Sequence, residues 1–303
     1  MLERSAWKAR ETTHADRADA ATAGHRARRP SGLRHPVEDF LFTYYSFTPA
    51  QLRRWHPGGG VRLEGAAGTP RAQWRHYREV GADVELDHAA YLEKRSGTVH
   101  FVRQLLTATA GRPAQLSCFG LHEWAMVYRQ PEEQVRHADW PLRLGSRGTD
   151  EVVEAQQSRC THYDAFRFYT APARSLNLVQ PTRERQVELE QPGCLHATMD
   201  LYKWAGKLSP AVPSELVMDC FDLAREVREL DMRASPYDLR ALGLEPVAIE
   251  TPSGRATYAA AQRGFATRGQ RLRDRLLQAL DAVDGGGATG PQPAGVSSSA
   301  SSR

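Results

Sequence analysis

Residues 213–233 read P-S-E-L-V-M-D-C-F-D-L-A-R-E-V-R-E-L-D-M-R and carry the clearest helical pattern of the chain. Apolar side chains recur there every three or four positions, which places them on one face of an α-helix. These side chains are Leu216, Cys220, Leu223, Val227 and Leu230. Ser214 is predicted to cap the helix. The pattern indicates a helix that packs into the core of a helical domain.

Other stretches extend this helical character. Thr48 followed by Pro49 is typical of an N-cap before a proline at the first helical position. Helical patterns also cover residues 36–45, 100–110 and 254–284, whereas strand patterns cover only 151–155, 165–170 and 246–251. The sequence therefore predicts a mainly α, mixed α+β fold: one helical domain with a small sheet.

Composition divides the 303 residues into a body and two tails. Residues 1–34 hold eight Lys or Arg against four acids and lack apolar periodicity, and residues 285–303 are rich in Gly, Ser and Pro. We predict that both tails are disordered and that residues 35–284 form a single globular domain, with a division into two lobes left open. Because the basic tail accounts for the net charge of +4, the neutral body gives no global argument for nucleic acid.

The chain lacks an apolar run of 18 residues and an apolar segment near its start that could direct secretion. Its four cysteines are too few for a disulfide framework. We therefore expect a soluble, cytoplasmic protein that does not associate with membranes. P-loop, G-x-G-x-x-G and G-x-S-x-G motifs are also missing, which argues against nucleotide hydrolysis, hydride transfer and an α/β-hydrolase.

Three short segments each place a cysteine, a histidine and an acid close together. They are C-F-G-L-H-E-W at 118–124, C-T-H-Y-D at 160–164 and C-L-H-A-T-M-D at 194–200. Such groups are costly to bury without partners, so we expect His122, His162 and His196 to face one polar pocket with nearby carboxylates. On a helix, His196 and Asp200 share a face, which suits either a general base or a buried structural pair.

The pocket residues leave several kinds of chemistry open. No cofactor and no metal are predicted, but zinc is an alternative with six candidate ligands: Cys118, His122, Cys160, His162, Cys194 and His196. A catalytic cysteine is a further alternative. Near the segment at 160–164, Tyr163, Asp164, Arg167 and Tyr169 predict an anion- and sugar-binding edge, or else a plain surface ion pair between Asp164 and Arg167.

Five blocks of the sequence carry a family resemblance. They are H-P-V-E-D-F-L-F-T-Y-Y, C-F-G-L-H-E-W-A-M-V-Y-R, D-A-F-R-F-Y-T, E-L-E-Q-P-G-C-L-H-A-T-M-D-L-Y-K-W and E-L-D-M-R-A-S-P-Y-D-L. In these blocks, over residues 35–265, the chain resembles a bacterial family labelled 3-methyladenine DNA glycosylase. The resemblance implies base excision of alkylated purines, with duplex DNA that carries a damaged base as the partner.

The resemblance also implies roles for individual residues. Because an N3-alkylated adenine is already a good leaving group, the enzyme needs mainly to extrude the base and to supply a carboxylate. Catalysis is then expected from Glu123 or Asp200, with His122 or His196 as the partner. Substrate binding is expected from Trp124, Tyr128, His162, Tyr163, Asp164, Arg167, Lys203 and Trp204. Two other functions remain open: a small-molecule hydrolase or lyase, with or without a metal, and a non-catalytic binding protein.

Overall fold

The computed structural model describes residues 1–131 and 140–285. Its helices are α1 Arg4–Arg28, α2 Phe40–Tyr44, α3 Pro49–Arg53, α4 His88–Ala110, α5 Leu121–Ala125, α6 Gly145–Ala155, α7 Tyr163–Phe166, α8 Ala171–Arg174, α9 Gln186–Leu189, α10 Leu195–Leu208, α11 Ser214–Arg233 and α12 Pro252–Gly285. Its strands are β1 Arg62–Leu63, β2 Tyr77–Val80 and β3 Asp83–Leu86. The predicted fold class, mainly helical with a small sheet, is confirmed.

Helix α10 forms the centre of the core and packs against α11, α12 and α4. The apolar face predicted for α11 is confirmed, since all five of its side chains are buried. Each such burial stabilises the fold by about 1.5–3 kcal/mol relative to exposure. Ser214, however, is the first helical residue and not the cap; its hydroxyl donates to the carbonyl of Arg54.

Helix α12 runs without a break through both of its central glycines, as one 34-residue helix. A Cβ atom at Gly269 would lie 3.0 Å from Cγ2 of Thr198 on α10. The missing side chain therefore lets α12 approach the central helix closely. The predicted tail beyond Gly285 lies outside the described residues.

The sheet is antiparallel, with strand order β1–β3–β2, and lies in the first third of the chain. The predicted strands are wrong in position: residues 151–155 belong to α6, residues 165–170 contain the end of α7, and residues 246–251 form no strand. Short apolar runs do not distinguish a strand from a buried helical turn. Val152 and Val153 are both buried on α6, as a helix allows and a half-buried strand does not.

The predicted disorder of the N-terminal tail is wrong, because residues 4–28 form helix α1. This helix buries only a narrow stripe, Trp7, His14, Ala18 and Thr22, so its composition resembles that of a solvated segment. Its basic residues are paired: Arg10 lies 2.8 Å from Glu215, and Arg17 lies 2.8 and 2.6 Å from Asp219 and Asp222. Ion pairs with α11 thus hold α1 against the fold, although the sequence of α1 lacks a regular apolar face.

Within the described residues, no helix has the length and apolar character needed to span a membrane.

We predict that Trp7→Ala destabilises the protein by about 3–5 kcal/mol, because it leaves a large cavity. The indole is 1% exposed, packs with Trp55 and Leu63, and donates a hydrogen bond to the carbonyl of Glu64. Urea denaturation measures the free energy of unfolding. Leu33→Ala is the control, since Leu33 is 65% exposed and its loss is expected to change stability by less than about 0.5 kcal/mol. Equal stability of the two variants would show that α1 contributes nothing to the fold.

Candidate functional site

Three imidazoles lie side by side in the core, as the sequence predicted. The ring centroid of His196 is 4.3 Å from that of His122 and 5.3 Å from that of His162. All three side chains are buried. They come from α5, from the residue before α7 and from α10, so the fold joins parts of the chain that are far apart in sequence.

His122 and Glu123 are presented by a very short helix. Helix α5 covers only Leu121–Ala125, because Phe119 and Gly120 just before it have positive φ angles of 46° and 72°. A Cβ atom at Gly120 would lie 3.3 Å from the ring of Tyr258. Every side chain of α5 is buried, which fixes the direction of both polar groups.

A first group of possible ligands consists of His122, His196 and Asp231, with one donor atom from each within 4.8 Å of the others. Nε2 of His122 lies 2.8 Å from Oδ1 of Asp231. When the imidazole is protonated, the two groups form a buried ion pair.

Arg228 holds the acids of this region in place. Its Nη1 donates to Oε1 of Glu123 at 2.7 Å and to Oδ2 of Asp231 at 2.8 Å. The guanidinium carbon lies 3.9 Å from the ring centroid of Phe40, and Nε donates to the carbonyl of Pro36. Asp231 therefore keeps one oxygen, Oδ1, for another interaction.

A second group consists of His162, Glu190 and Asp200. Nε2 of His162 lies 3.3 Å from Oε1 of Glu190 and 3.4 Å from Oδ2 of Asp200, but both ring nitrogens lack hydrogen bonds within the described part of the chain. Asp200 is fully engaged: Tyr45 donates to Oδ1 at 2.7 Å, and Lys203 donates to Oδ2 at 2.8 Å. Asp200 is therefore not paired with His196, as the sequence suggested, but contacts Tyr45, His162 and Lys203.

The two imidazoles of the first group, His122 and His196, have different pKa values. Burial disfavours charge on His122, but the negative charge of Asp231 outweighs it and raises the pKa of His122 to about 10. Burial, followed by the charges of His122 and His162, holds the pKa of His196 well below its ordinary value. His196 is therefore neutral and ready to bind a metal, whereas His122 carries a proton that a bound metal would have to displace.

The second group shows the same balance. Burial opposes protonation of His162, yet Asp200 and Glu190 raise its pKa to about 9. Burial would raise the pKa of Asp200, but Lys203 and His162 keep it below its ordinary value. Asp200 is accordingly an ionised carboxylate that is already neutralised.

The buried cluster has more acids than fixed cations. Its buried carboxylates are Glu123, Glu190, Asp200 and Asp231, and its permanent cations are Arg228 and Lys203, with Arg273 near enough to Glu190 for their charges to interact. An excess of buried negative charge requires protons on the imidazoles or a bound cation. The composition of the cluster is thus compatible with a metal.

A small cavity of about 20 Å³ adjoins the first group and is lined by His196, Glu123 and Arg228. A water molecule needs about 10–15 Å³. Oε2 of Glu123 and Nη2 of Arg228 have no hydrogen-bond partner among the described residues. The cavity therefore offers one free acceptor and one free donor to a molecule of about the size of water.

Two larger clefts, of about 510 and 690 Å³, lie outside this cavity. Both are lined by Tyr44, Tyr45, Lys203 and Lys207. Tyr44, Asp164 and Phe168 line the larger of the two clefts and the small cavity, so they form the wall between them. A cleft of about 900 Å³ near Leu144 is larger still, but no residue of the buried cluster lines it.

The residues expected to bind substrate divide into two sets. Tyr163, Asp164, Arg167, Lys203 and Trp204 line the 690 Å³ cleft. Trp124 and Tyr128 are 0% and 2% exposed, so a stacking role does not fit them; Trp124 donates to the carbonyl of Ala234 and Tyr128 to Glu154. The ion pair of Asp164 with Arg167 is confirmed, at 3.2 Å.

Sequence reasoning missed Glu190, Arg228 and Asp231. A signal for Asp231 exists: Cys220, Ala224, Val227 and Asp231 are spaced by four, three and four residues, on the buried face of α11. An acid on an apolar face indicates a buried partner. Glu190 carries no such signal, because it lies in the loop between α9 and α10.

The cysteines do not belong to either group of possible ligands in the described part of the chain. All four are free thiols. Burial raises the pKa of Cys160 to about 12 and holds that of Cys194 well above its ordinary value. Neither residue is therefore activated as a thiolate nucleophile.

We predict that Arg228→Met destabilises the protein by about 3–5 kcal/mol, because Glu123 and Asp231 lose their buried cation. The control is Arg268→Met, which removes an exposed ion pair with Glu226 and is expected to cost about 0–1 kcal/mol. Urea denaturation in the presence of EDTA measures both values. A stable Arg228→Met variant would contradict the assignment of the guanidinium as the neutralising group.

Comparison of the chain with protein-family models, with curated proteins and with solved structures finds no match.

Proposed function

We propose that the protein is a metal-dependent hydrolase whose centre is formed by His122, His196 and Asp231. One observation carries the proposal: His122, His196 and Asp231 are buried and place one possible ligand atom each within 4.8 Å of the others. In a tetrahedral site, two ligand atoms at about 2.0–2.2 Å from one ion sit about 3.3–3.6 Å from each other. The 2.8 Å between Nε2 of His122 and Oδ1 of Asp231 is shorter, so a bound ion would move these two groups apart.

The first group is a better metal site than the second. Asp231 gives Oδ2 to Arg228 and keeps Oδ1, whereas Tyr45 and Lys203 take both oxygens of Asp200. An ammonium group 2.8 Å from the oxygen nearest His162 repels a cation. We therefore assign one metal per chain to the first group, and a supporting hydrogen-bonding role to Asp200.

Two imidazoles and one carboxylate are the ligand set of catalytic zinc sites, which keep an open position for water or substrate. Bound Zn²⁺ would polarise a substrate oxygen and make water acidic. Glu123 supplies the free oxygen that accepts the proton, because Oε1 is fixed by Arg228 and Oε2 faces the small cavity. Arg228 Nη2 is placed to donate to the oxyanion that develops on the substrate.

We predict that the protein retains one Zn²⁺ per chain after dialysis, measured by elemental analysis. Zn²⁺ at about 100 times its Kd is expected to stabilise the fold by about 2.7 kcal/mol. His122→Asn is expected to weaken binding by at least about 100-fold, more than the loss of a group that only orients a ligand.

His56→Asn is the matched control, since His56 is equally buried but lies outside the cluster and bonds to Tyr77. It is expected to bind Zn²⁺ like the wild type. Equal metal content in the wild type and His122→Asn, or the same thermal shift in both, would refute the assignment.

A DNA glycosylase acting on alkylated purines is the second candidate. The 690 Å³ cleft favours it, because Tyr163 offers a ring and Arg167 offers a cation for phosphate. The candidate carboxylate Glu123 lies behind the wall of Tyr44 and Phe168, beside a cavity of about 20 Å³. A flipped purine would reach Glu123 only after this wall moves.

Base release separates the two candidates. A glycosylase is expected to free 3-methyladenine from methylated duplex DNA in the presence of EDTA, and Glu123→Gln or Asp200→Asn to slow release by at least about 100-fold. Arg159→Gln is the control, because Arg159 lines neither the small cavity nor the 690 Å³ cleft. Wild-type protein without release above background would exclude this candidate for that substrate.

A cytoplasmic location fits either candidate. All four cysteines are free, as expected in a reducing compartment.

A further inference from the structure

Five cations converge around the 510 Å³ cleft, which we call the basic cleft. They are Arg54, Arg75, Arg95, Lys203 and Lys207. Arg54 follows α3, Arg75 precedes β2, Arg95 lies on α4, and both lysines lie on α10. Because separate elements supply them, the convergence is a product of the tertiary fold and not of a basic run in the sequence.

Four of the five cations of the basic cleft have no acidic partner among the described residues, whereas Lys203 pairs with Asp164 and Asp200. No Asp or Glu is among the residues that line it. Within residues 1–131 and 140–285, no ion pair is formed by Arg54, Arg75, Arg95 or Lys207. By contrast, four arginines of α1 and α12 are each paired with an acid: Arg10, Arg17, Arg268 and Arg275. Unpaired cations that share a concave surface attract an anion.

The cations are close enough to oppose one another. Burial lowers the pKa of Lys207, and the charges of Lys203 and Arg95 lower it further. The guanidinium of Arg54 is held 4.9 Å from the ring centroid of Trp74. A bound anion would relieve this repulsion without a rearrangement of the cleft.

Aromatic rings share the cleft with the cations. Tyr44, Phe47 and Trp74 line it and are partly exposed. Flat apolar surfaces beside cations suit a ligand that joins an aromatic ring to a phosphate group. The volume lies within the range of about 300–1,000 Å³ that is usual for small-molecule sites.

We propose that the basic cleft binds a small phosphorylated ligand with an aromatic ring, of the nucleoside monophosphate class, and that this ligand is the substrate class of the buried centre. Tyr44 lines both the cleft and the small inner cavity, and Lys203 joins the cleft to Asp200. The proposal that the cleft binds this ligand depends on the cleft alone. The proposal that the ligand is a substrate rests on the proposed hydrolase function.

Calorimetric titration with AMP and with adenosine tests the proposal, in EDTA and low salt. AMP is expected to bind at least about tenfold more tightly than adenosine, as a charge-assisted contact to phosphate provides. The double variant Arg75→Gln/Arg95→Gln is expected to bind AMP no more tightly than adenosine, and to bind adenosine as the wild type does. Lys94→Gln is the matched control, since Lys94 precedes Arg95 on α4 and pairs with Glu93 away from the cleft.

Equal affinity for AMP and adenosine, or AMP binding that survives the double variant, would overturn the proposal. A single-stranded oligonucleotide that binds through Arg75 and Arg95 and is not displaced by AMP would overturn it in favour of nucleic acid. Because EDTA removes metal from every titration, these results do not depend on the zinc measurement, and failure of one proposal is distinguishable from failure of the other.

Discussion

The guanidinium of Arg228 is the interaction on which the rest of the site depends. It links Glu123 on α5 to Asp231 on α11, both buried, and rests on the partly exposed ring of Phe40. Helix α5 has only five residues and cannot hold its own direction, so this link fixes where His122 points. Loss of the cation would leave two buried carboxylates uncompensated, a far larger penalty than loss of a surface pair.

Charge is arranged in layers. The core holds acids in excess, whereas the basic cleft outside Tyr44 holds cations without acids among its lining residues. Lys203 joins the layers, because it lines the cleft and donates to Asp164 and Asp200. An ionised acid in the core is tolerated only with such partners, and a protein that needed stability alone would pack apolar side chains there. Stability alone therefore does not account for the retained charges.

The sequence predicted what periodicity and residue type encode. The apolar face of α11 and the meeting of three histidines required only helical spacing and the cost of unpaired burial. Strands of two to four residues carry too little alternation to be recognised, and α1 buries too narrow a stripe. Glu190 was out of reach for a different reason: its place beside His162 is set by the packing of a loop, which no local pattern records.

The wall of Tyr44, Asp164 and Phe168 decides what the buried centre can act on. With a cavity of about 20 Å³ behind it, the centre admits water but no substrate larger than that. Among the described residues, Tyr44 is held by a 3.4 Å hydrogen bond to the carbonyl of Asp164 and by contact with neighbouring rings. Its displacement would break few interactions, whereas displacement of Arg228 or Lys203 would expose buried charge. If a ligand in either cleft reaches the small cavity, we therefore expect Tyr44 to move and the ionic groups to stay in place.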